Sequence, residues 1–239
     1  WEANMKYYVD GKEITILNNH KIFNSGSEGK LYRIENDIYK IYYPNTLNEG
    51  FGNKKIYHQS LLGISDKFES IVLPTSLIFD ELGNYVGYKC PMVGENDKIG
   101  LTELDWNIFI ENIKKLEEEI LLLSENRFLA VDFAFHNSIY SKEMQKLYMV
   151  DPGRYHHQAY FTLNDYISKN KLILEEYIFH MLEREIISYK LITPKKATML
   201  MKSIASAKED LTYSEYFYDN SAKYENVHEM IKVKSRYIK

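Results

Sequence analysis

The chain has 239 residues, 45% of them hydrophobic, and its 34 acidic and 30 basic residues give a formal net charge of −4. That length and apolar content can bury a core in one large domain or in two lobes sharing a cleft, which excludes a disordered chain. The mixed, slightly acidic charge offers no broad field to a nucleic-acid backbone or an anionic membrane, and a single cysteine, Cys90, excludes an internal disulfide or a cysteine-rich zinc site.

No apolar run approaches the roughly 18 residues that span a bilayer, and the first 20 residues are too polar for a secretory signal. The expectation is a soluble, unexported protein of the reducing cytoplasm. The chain opens at Trp1, and Trp1–Asn4 are read as a remnant or a trimmed stretch ahead of a start at Met5, without a function.

Residues 6–43 read as a meander of extended segments. Tyr7–Val9 and Glu13–Leu17 flank the hairpin dipeptide Asp10-Gly11, Asn18-Asn19 makes a break, and Lys21–Asn24 leads into the loop Gly26-Ser27-Glu28-Gly29. Lys30–Glu35 and Ile38–Tyr43 follow around an Asn36-Asp37 turn, and Pro44 stops the second. A helix is expected over Thr46–Leu62, weakened in its first half by Gly50 and Gly52 at about 1 kcal/mol each. Ser76–Phe79 and Tyr85–Met92 form a hairpin around Leu82-Gly83-Asn84.

Beyond Met92 the apolar period changes from two to about 3.6. Thr102 and Asp105 open a long amphipathic helix whose stripe runs from Trp106 through Phe109, Ile113, Leu116 and Ile120 to Leu123, ending at Glu125. A short hairpin pairs Ser138–Tyr140 with Leu147–Val150. Thr162 and Asp165 begin a helical stretch to about Lys190, and Thr193-Pro194 caps Lys195–Ala207. A strand-rich first third thus precedes a helical remainder, with the boundary near Gly94 and a hinge at Gly94-Glu95-Asn96-Asp97; Lys208-Glu209-Asp210 and Asp219-Asn220 make the helical tail acidic.

Four features in order can hold a nucleotide triphosphate and its metal. The glycine loop brings backbone N–H groups toward phosphates, and Lys40, in the strand after it, can neutralise them. Alternation places Lys40 on the opposite face from Tyr39 and Ile41. Asp132 can accept the proton of an attacking hydroxyl, while Asn137 and Asp151 offer hard oxygens to Mg²⁺. Taken singly, a hairpin turn, a solvated lysine and turn-forming Asp and Asn account for each feature; together, at these intervals, they are less easily explained. A transition-metal site of His136, His156 and His157 with Asp151 is the rival reading, against which adjacent His156-His157 side chains usually point apart.

Over residues 20–155 the order of glycine loop, strand lysine, Asp132-x4-Asn137, short hairpin and Asp151-Pro152-Gly153 resembles the protein-kinase-like superfamily. The resemblance implies an α+β, bilobal protein-kinase-like fold, with an antiparallel-sheet N-lobe over residues 1–93 and a reduced helical C-lobe over 94–239. It implies that Gly26, Ser27, Glu28 and Gly29 cover the phosphates of ATP and that Lys40 contacts them. Asp132 is then the catalytic-loop aspartate, Asn137 and Asp151 hold Mg²⁺, and the backbone of Pro91, Met92 and Val93 faces adenine with Cys90 near the gatekeeper position.

The chain departs from the family pattern at several points. Ala130-Val131 replaces His-Arg before Asp132, which removes an arginine partner for an activating phosphate. Pro152 replaces the phenylalanine of Asp-Phe-Gly, and no Ala-Pro-Glu follows. No glutamate lies in Gly52–Ser60 to pair with Lys40; Glu49 and Glu69 are the nearest in sequence. The reading is an ATP- and Mg-dependent phosphotransferase acting on a hydroxyl of a protein or small molecule, with no nucleic-acid or membrane partner. The alternative is a pseudokinase that binds nucleotide without transfer.

Overall fold

The computed structural model of the chain describes residues 5–22, 26–47, 53–94, 104–188 and 192–238. Its first part is an antiparallel sheet of β1 (Met5–Val9), β2 (Lys12–Ile16), β3 (Gly29–Ile34), β4 (Asp37–Tyr42), β5 (Ser76–Phe79) and β6 (Tyr85–Pro91). The strand order is β2-β1-β5-β6-β4-β3, which corrects the expected meander. The β5–β6 hairpin inserts between the first two hairpins, because β4 is buried along its last four residues and needs a strand on each side. Each sheet face has its own cluster: Tyr39 and Ile41 pack with Val9, Ile16, Tyr32 and Ile78, whereas Tyr42 and Tyr88 pack with Val72, Cys90 and Tyr148.

One helix, α1 (Lys54–Leu62), accompanies the sheet, capped by the Asn53 side chain accepting from the Lys55 N–H at 3.0 Å. It is shorter than the expected Thr46–Leu62 helix. Pro44–Thr46 form a separate 3-10 turn, and residues 48–52 lie outside the described residues. Of the expected Lys21–Asn24 strand, Lys21 makes one isolated bridge to Tyr32, and the rest falls largely on residues 23–25, outside the described residues.

The second part is helical. Helix α2 (Trp106–Glu125) buries the predicted stripe, with Phe109, Ile113, Leu116 and Leu123 fully enclosed, each worth about 1.5–3 kcal/mol of apolar burial. The hairpin β7 (Ser138–Ser141) and β8 (Lys146–Met149) follows, then α3 (Leu163–Ser188), α4 (Pro194–Ala207), α5 (Tyr213–Ser221) and α6 (Val227–Ser235). The sequence pattern marks no boundary between the last two helices, although Thr212 and Glu215 form a reciprocal capping box at the start of α5. The α+β, bilobal arrangement expected from the sequence, an antiparallel-sheet lobe followed by a helical lobe, is the observed one. The hinge expected at residues 94–97 lies, apart from Gly94, outside the described residues. No helix among the described residues is long and apolar enough to cross a membrane.

Residues 69–72 stitch the two parts together. The buried Glu119 carboxylate of α2 accepts the N–H groups of Glu69 at 2.8 Å, Ser70 at 3.0 Å and Ile71 at 2.7 Å. On the other side, the Ser70 carbonyl accepts from Met149 N–H at 2.7 Å and Val72 N–H donates to the Met149 carbonyl at 2.8 Å. Truncating Glu119 strands three backbone donors at once. Glu119→Ala is therefore expected to lower the unfolding free energy by about 3 kcal/mol in urea titration; a loss under about 1 kcal/mol would show that the stitch is replaceable by water.

Candidate active site

Strand alternation puts Lys40 on the sheet face of Tyr42 and Tyr88, as expected, and leaves it only 4% exposed. A buried ammonium is tolerated only with anionic partners. Lys40 Nζ donates to Asp151 Oδ1, and Glu28 Oε2 lies 3.5 Å away. The lysine expected from the sequence as the phosphate contact is thus joined to the aspartate expected as the metal ligand, 111 residues on.

Asp151 follows β8 with φ +61°, and its carboxylate also accepts from Tyr88 Oη at 3.2 Å and from the Gly153 backbone. Its surroundings disfavour the charge, but Lys40 and the two hydrogen bonds outweigh that and hold the carboxyl below its ordinary range. Gly153 sits in a crowded spot: a Cβ there would stand 2.9 Å from Tyr42 Oη, 3.0 Å from Asp151 Oδ1 and 3.2 Å from Glu28 Oε2, so these side-chain ends would have to shift to admit one. Three oxygens thus converge on one small space, and the buried Tyr42 hydroxyl has no hydrogen-bond partner among the described residues.

The glycine loop divides into two kinds of position. Gly26 and Ser27 are exposed, and among the described residues beyond the chain neighbours a Cβ at Gly26 would meet nothing within 4 Å. Gly29 is buried in β3, where a Cβ would meet the Ile41 carbonyl at 2.4 Å; its lack of a side chain is set by the neighbouring strand. Between them, Glu28 directs its carboxylate to cations: Oε1 lies 3.1 Å from Lys54 Nζ and 3.2 Å from Arg154 Nε.

Helix α1 supplies what its sequence lacks in acid with different chemistry. Lys54 and His58, one turn apart, are both buried on the inner face. Lys54 lies 4.5 Å from the centre of the Tyr42 ring, against which His58 stacks at 5.9 Å. His58 Nδ1 sits 2.5 Å from Tyr85 Oη, and its ring donates to the Pro152 carbonyl. The acidic partners of Lys40 are Asp151 and Glu28, neither from the helix; Glu69 pairs instead with Lys146 at 2.8 Å and Lys115 at 3.4 Å, and Glu49 lies outside the described residues.

The Asp132 loop is pinned from both ends. Buried Asn170 of α3 accepts from Ala130 N–H at 3.0 Å and donates to the Phe128 carbonyl at 2.7 Å. Asn137 Nδ2 donates to the Asp132 carbonyl at 3.0 Å, and the Asn137 carbonyl accepts from Val150 N–H at 2.7 Å, one residue before Asp151. Asp132 itself has φ +72°, a second non-glycine left-handed residue at the site, and its Oδ1 is 3.6 Å from His136 Nε2. It opens on a cavity of about 270 Å³ lined by Phe133, Phe135, Glu176, Tyr177 and His180.

The other histidines are separated: His156 Nδ1 faces the Arg154 carbonyl at 2.9 Å and His157 Nδ1 the Arg127 carbonyl at 2.7 Å. No group of three or more His, Cys, Asp or Glu among the described residues is arranged to hold a metal ion. Of the expected adenine-facing stretch, Pro91 has no N–H and Met92 N–H is spent on the Asn36 carbonyl at 2.8 Å. Cys90 is buried, which pushes its thiol up to about 12. Sequence reasoning missed Tyr42, Lys54, His58 and Arg154. The i, i+4 pair Lys54/His58 is a visible signal for one helix face, whereas Arg154 becomes meaningful only when its chain turn meets Glu28.

No protein-family model and no curated protein matches the chain. Among solved structures it is similar to the Lpg2603 kinase of Legionella pneumophila, determined bound to IP6, with 15% identity over 76% of this chain and 70% of that one and a TM-score of 0.46.

Burial, reinforced by Lys40 and Lys54, pushes the His58 imidazole down to about 3 from its ordinary 6.5. The unfolded chain then binds the proton first, so stability is complete above the unfolded value and falls as pH drops from 6.5 toward 3. His58 is expected to account for about 2 kcal/mol of lost stability between pH 7 and pH 5. Denaturant titrations of wild type and His58→Gln should therefore converge as pH falls; parallel pH curves would contradict the neutral, buried imidazole.

Proposed function

We propose that the chain is an atypical protein-kinase-like phosphotransferase that takes Mg-ATP in the cleft around Lys40 and passes a phosphoryl group to a hydroxyl at Asp132. One observation carries this reading: Lys40 from β4, Asp151 after β8 and Glu28 from the glycine loop, distant in sequence, converge at bonding distance. The pinned loop that carries Asp132 and Asn137 joins them through the Asn137–Val150 hydrogen bond. We divide the chain functionally as an N-lobe over residues 1–93 and a C-lobe over 94–239.

The donor set suits Mg²⁺: hard carboxylate and amide oxygens, an orphaned buried hydroxyl at Tyr42, and a space that any side chain at 153 would fill. Asp151 and Asn137 would hold the ion, which when bound neutralises phosphate charge during transfer. Lys40, released from Asp151, would then contact phosphate, with the open edge of Gly26 and Ser27 above it and the backbone of Pro91–Val93 beside adenine. Asp132 would orient the acceptor hydroxyl and accept its proton. The cavity beside it is of small-molecule size, which favours a small acceptor, although a protein hydroxyl presented by a partner fits the same chemistry. The cytoplasm is the setting we propose.

The second reading, a pseudokinase, is favoured by one feature: α1 presents Lys54 and His58 to the site in place of an acid. Two variants separate the readings. Mg-ATP is expected to raise the melting temperature of wild type, with the metal-dependent part of the shift lost in Asp151→Ala. Asp132→Asn should keep nucleotide binding while lowering turnover by about 100-fold or more. Nucleotide binding with no turnover in wild type would decide for the pseudokinase, and full turnover in Asp132→Asn would remove Asp132 from the reaction.

A further inference from the structure

The Glu28 carboxylate is held by three cations from three different segments, an arrangement more costly than keeping one glutamate in place requires. Lys54 and Lys40 are buried, and each gives up hydration to stand here. Arg154 reaches across from the turn after Asp151, and Lys40 and Lys54 both flank the Tyr42 ring, at 5.2 and 4.5 Å from its centre. The three cations face two anions, Glu28 and Asp151. The unpartnered Tyr42 hydroxyl is buried against the same spot, near Glu28 Oε2 and Asp151 Oδ1 around the missing Cβ of Gly153.

We propose that Lys40, Lys54 and Arg154 form a single anion subsite for the terminal phosphates of the nucleotide, and that Glu28 is its resident occupant, displaced when the polyphosphate enters. The subsite rests on the phosphotransferase reading and adds two ligands, Lys54 and Arg154, to it. Charge favours the exchange. If Asp151 turns to a metal ion, Glu28 alone faces three cations, and a diphosphate or triphosphate brings the missing negative charge along with more acceptor oxygens.

The loop is built for such an exchange. The Glu28 carbonyl is fixed by Tyr43 N–H at 2.9 Å and Thr46 Oγ1 at 2.7 Å, so its backbone is held independently of the ion pairs that hold its carboxylate. Gly26 and Ser27 are exposed, and among the described residues beyond the chain neighbours no atom lies within 4 Å of a Cβ at Gly26, the edge toward which the departing carboxylate would swing. Swinging one side chain thus opens the subsite without unpairing a strand.

Calorimetric titration of the full chain with inorganic pyrophosphate and with Mg-ATP tests this, using wild type, Glu28→Gln and Lys54→Met. Removing the competing charge in Glu28→Gln is expected to tighten both ligands about fivefold or more, and removing a cation in Lys54→Met to weaken both about tenfold. Unchanged or weaker binding in Glu28→Gln would overturn the proposal, as would Mg-ATP affinity indifferent to Lys54→Met, with the phosphotransferase reading left standing. Pyrophosphate binding with the expected changes but no Mg-ATP binding would overturn the nucleotide subsite together with the kinase reading, leaving only a pyrophosphate site. Lys54→Met still tests the subsite if Glu28→Gln fails to fold.

Discussion

The buried ammonium of Lys40 is the constraint on which the rest of the structure depends. An uncompensated charge at that depth would cost several kcal/mol, and β4, paired on both sides by β3 and β6, cannot turn it to the other face without turning Tyr39 and Ile41 as well. The fold therefore brings anions to the lysine. Asp151 arrives from the helical lobe and Glu28 from the edge of the sheet. Each newcomer imposes its own demand: Asp151 adopts a left-handed backbone and crowds the space beside Gly153, while Glu28 draws in Lys54 and Arg154.

These demands also link the lobes. The Glu119 nest fixes residues 69–71 to α2, and the bridge from residues 70–72 to Met149 sets the end of β8, hence the position of Asp151. Asn170 and Asn137 then hold the Asp132 loop at a fixed distance from that point. A polar scaffold of this kind is worth little if one member is missing and much if all are satisfied, because a low local dielectric magnifies both outcomes.

What was legible in the sequence was periodic or punctuated. The stripe from Trp106 to Leu123, the turn at Asp10-Gly11 and the face of Lys40 all follow from spacing alone, and each is present in the structure. The strand order was not legible, since pairing of β1 with β5 and of β4 with β6 depends on which apolar faces meet across the fold. That Lys40 pairs with Asp151 is not legible in the sequence, because Asp151 lies 111 residues away and nothing local marks the meeting. Glu28 was legible as a loop residue; that its side chain would turn back under the loop depends on Lys54 and Arg154, which only folding brings together.

Lys40 and Asp151 behave as one charge-compensated unit at the heart of the site. A double-mutant cycle of Lys40→Met, Asp151→Asn and the pair, read by urea unfolding without ligand, tests it most directly. Lys40→Met leaves Asp151 without its cation, and Asp151→Asn leaves Lys40 with Glu28 alone; each is expected to cost about 1–3 kcal/mol, with the double variant costing clearly less than the sum. Additive losses would contradict the account, since they would mean that the two side chains stand near each other without depending on one another.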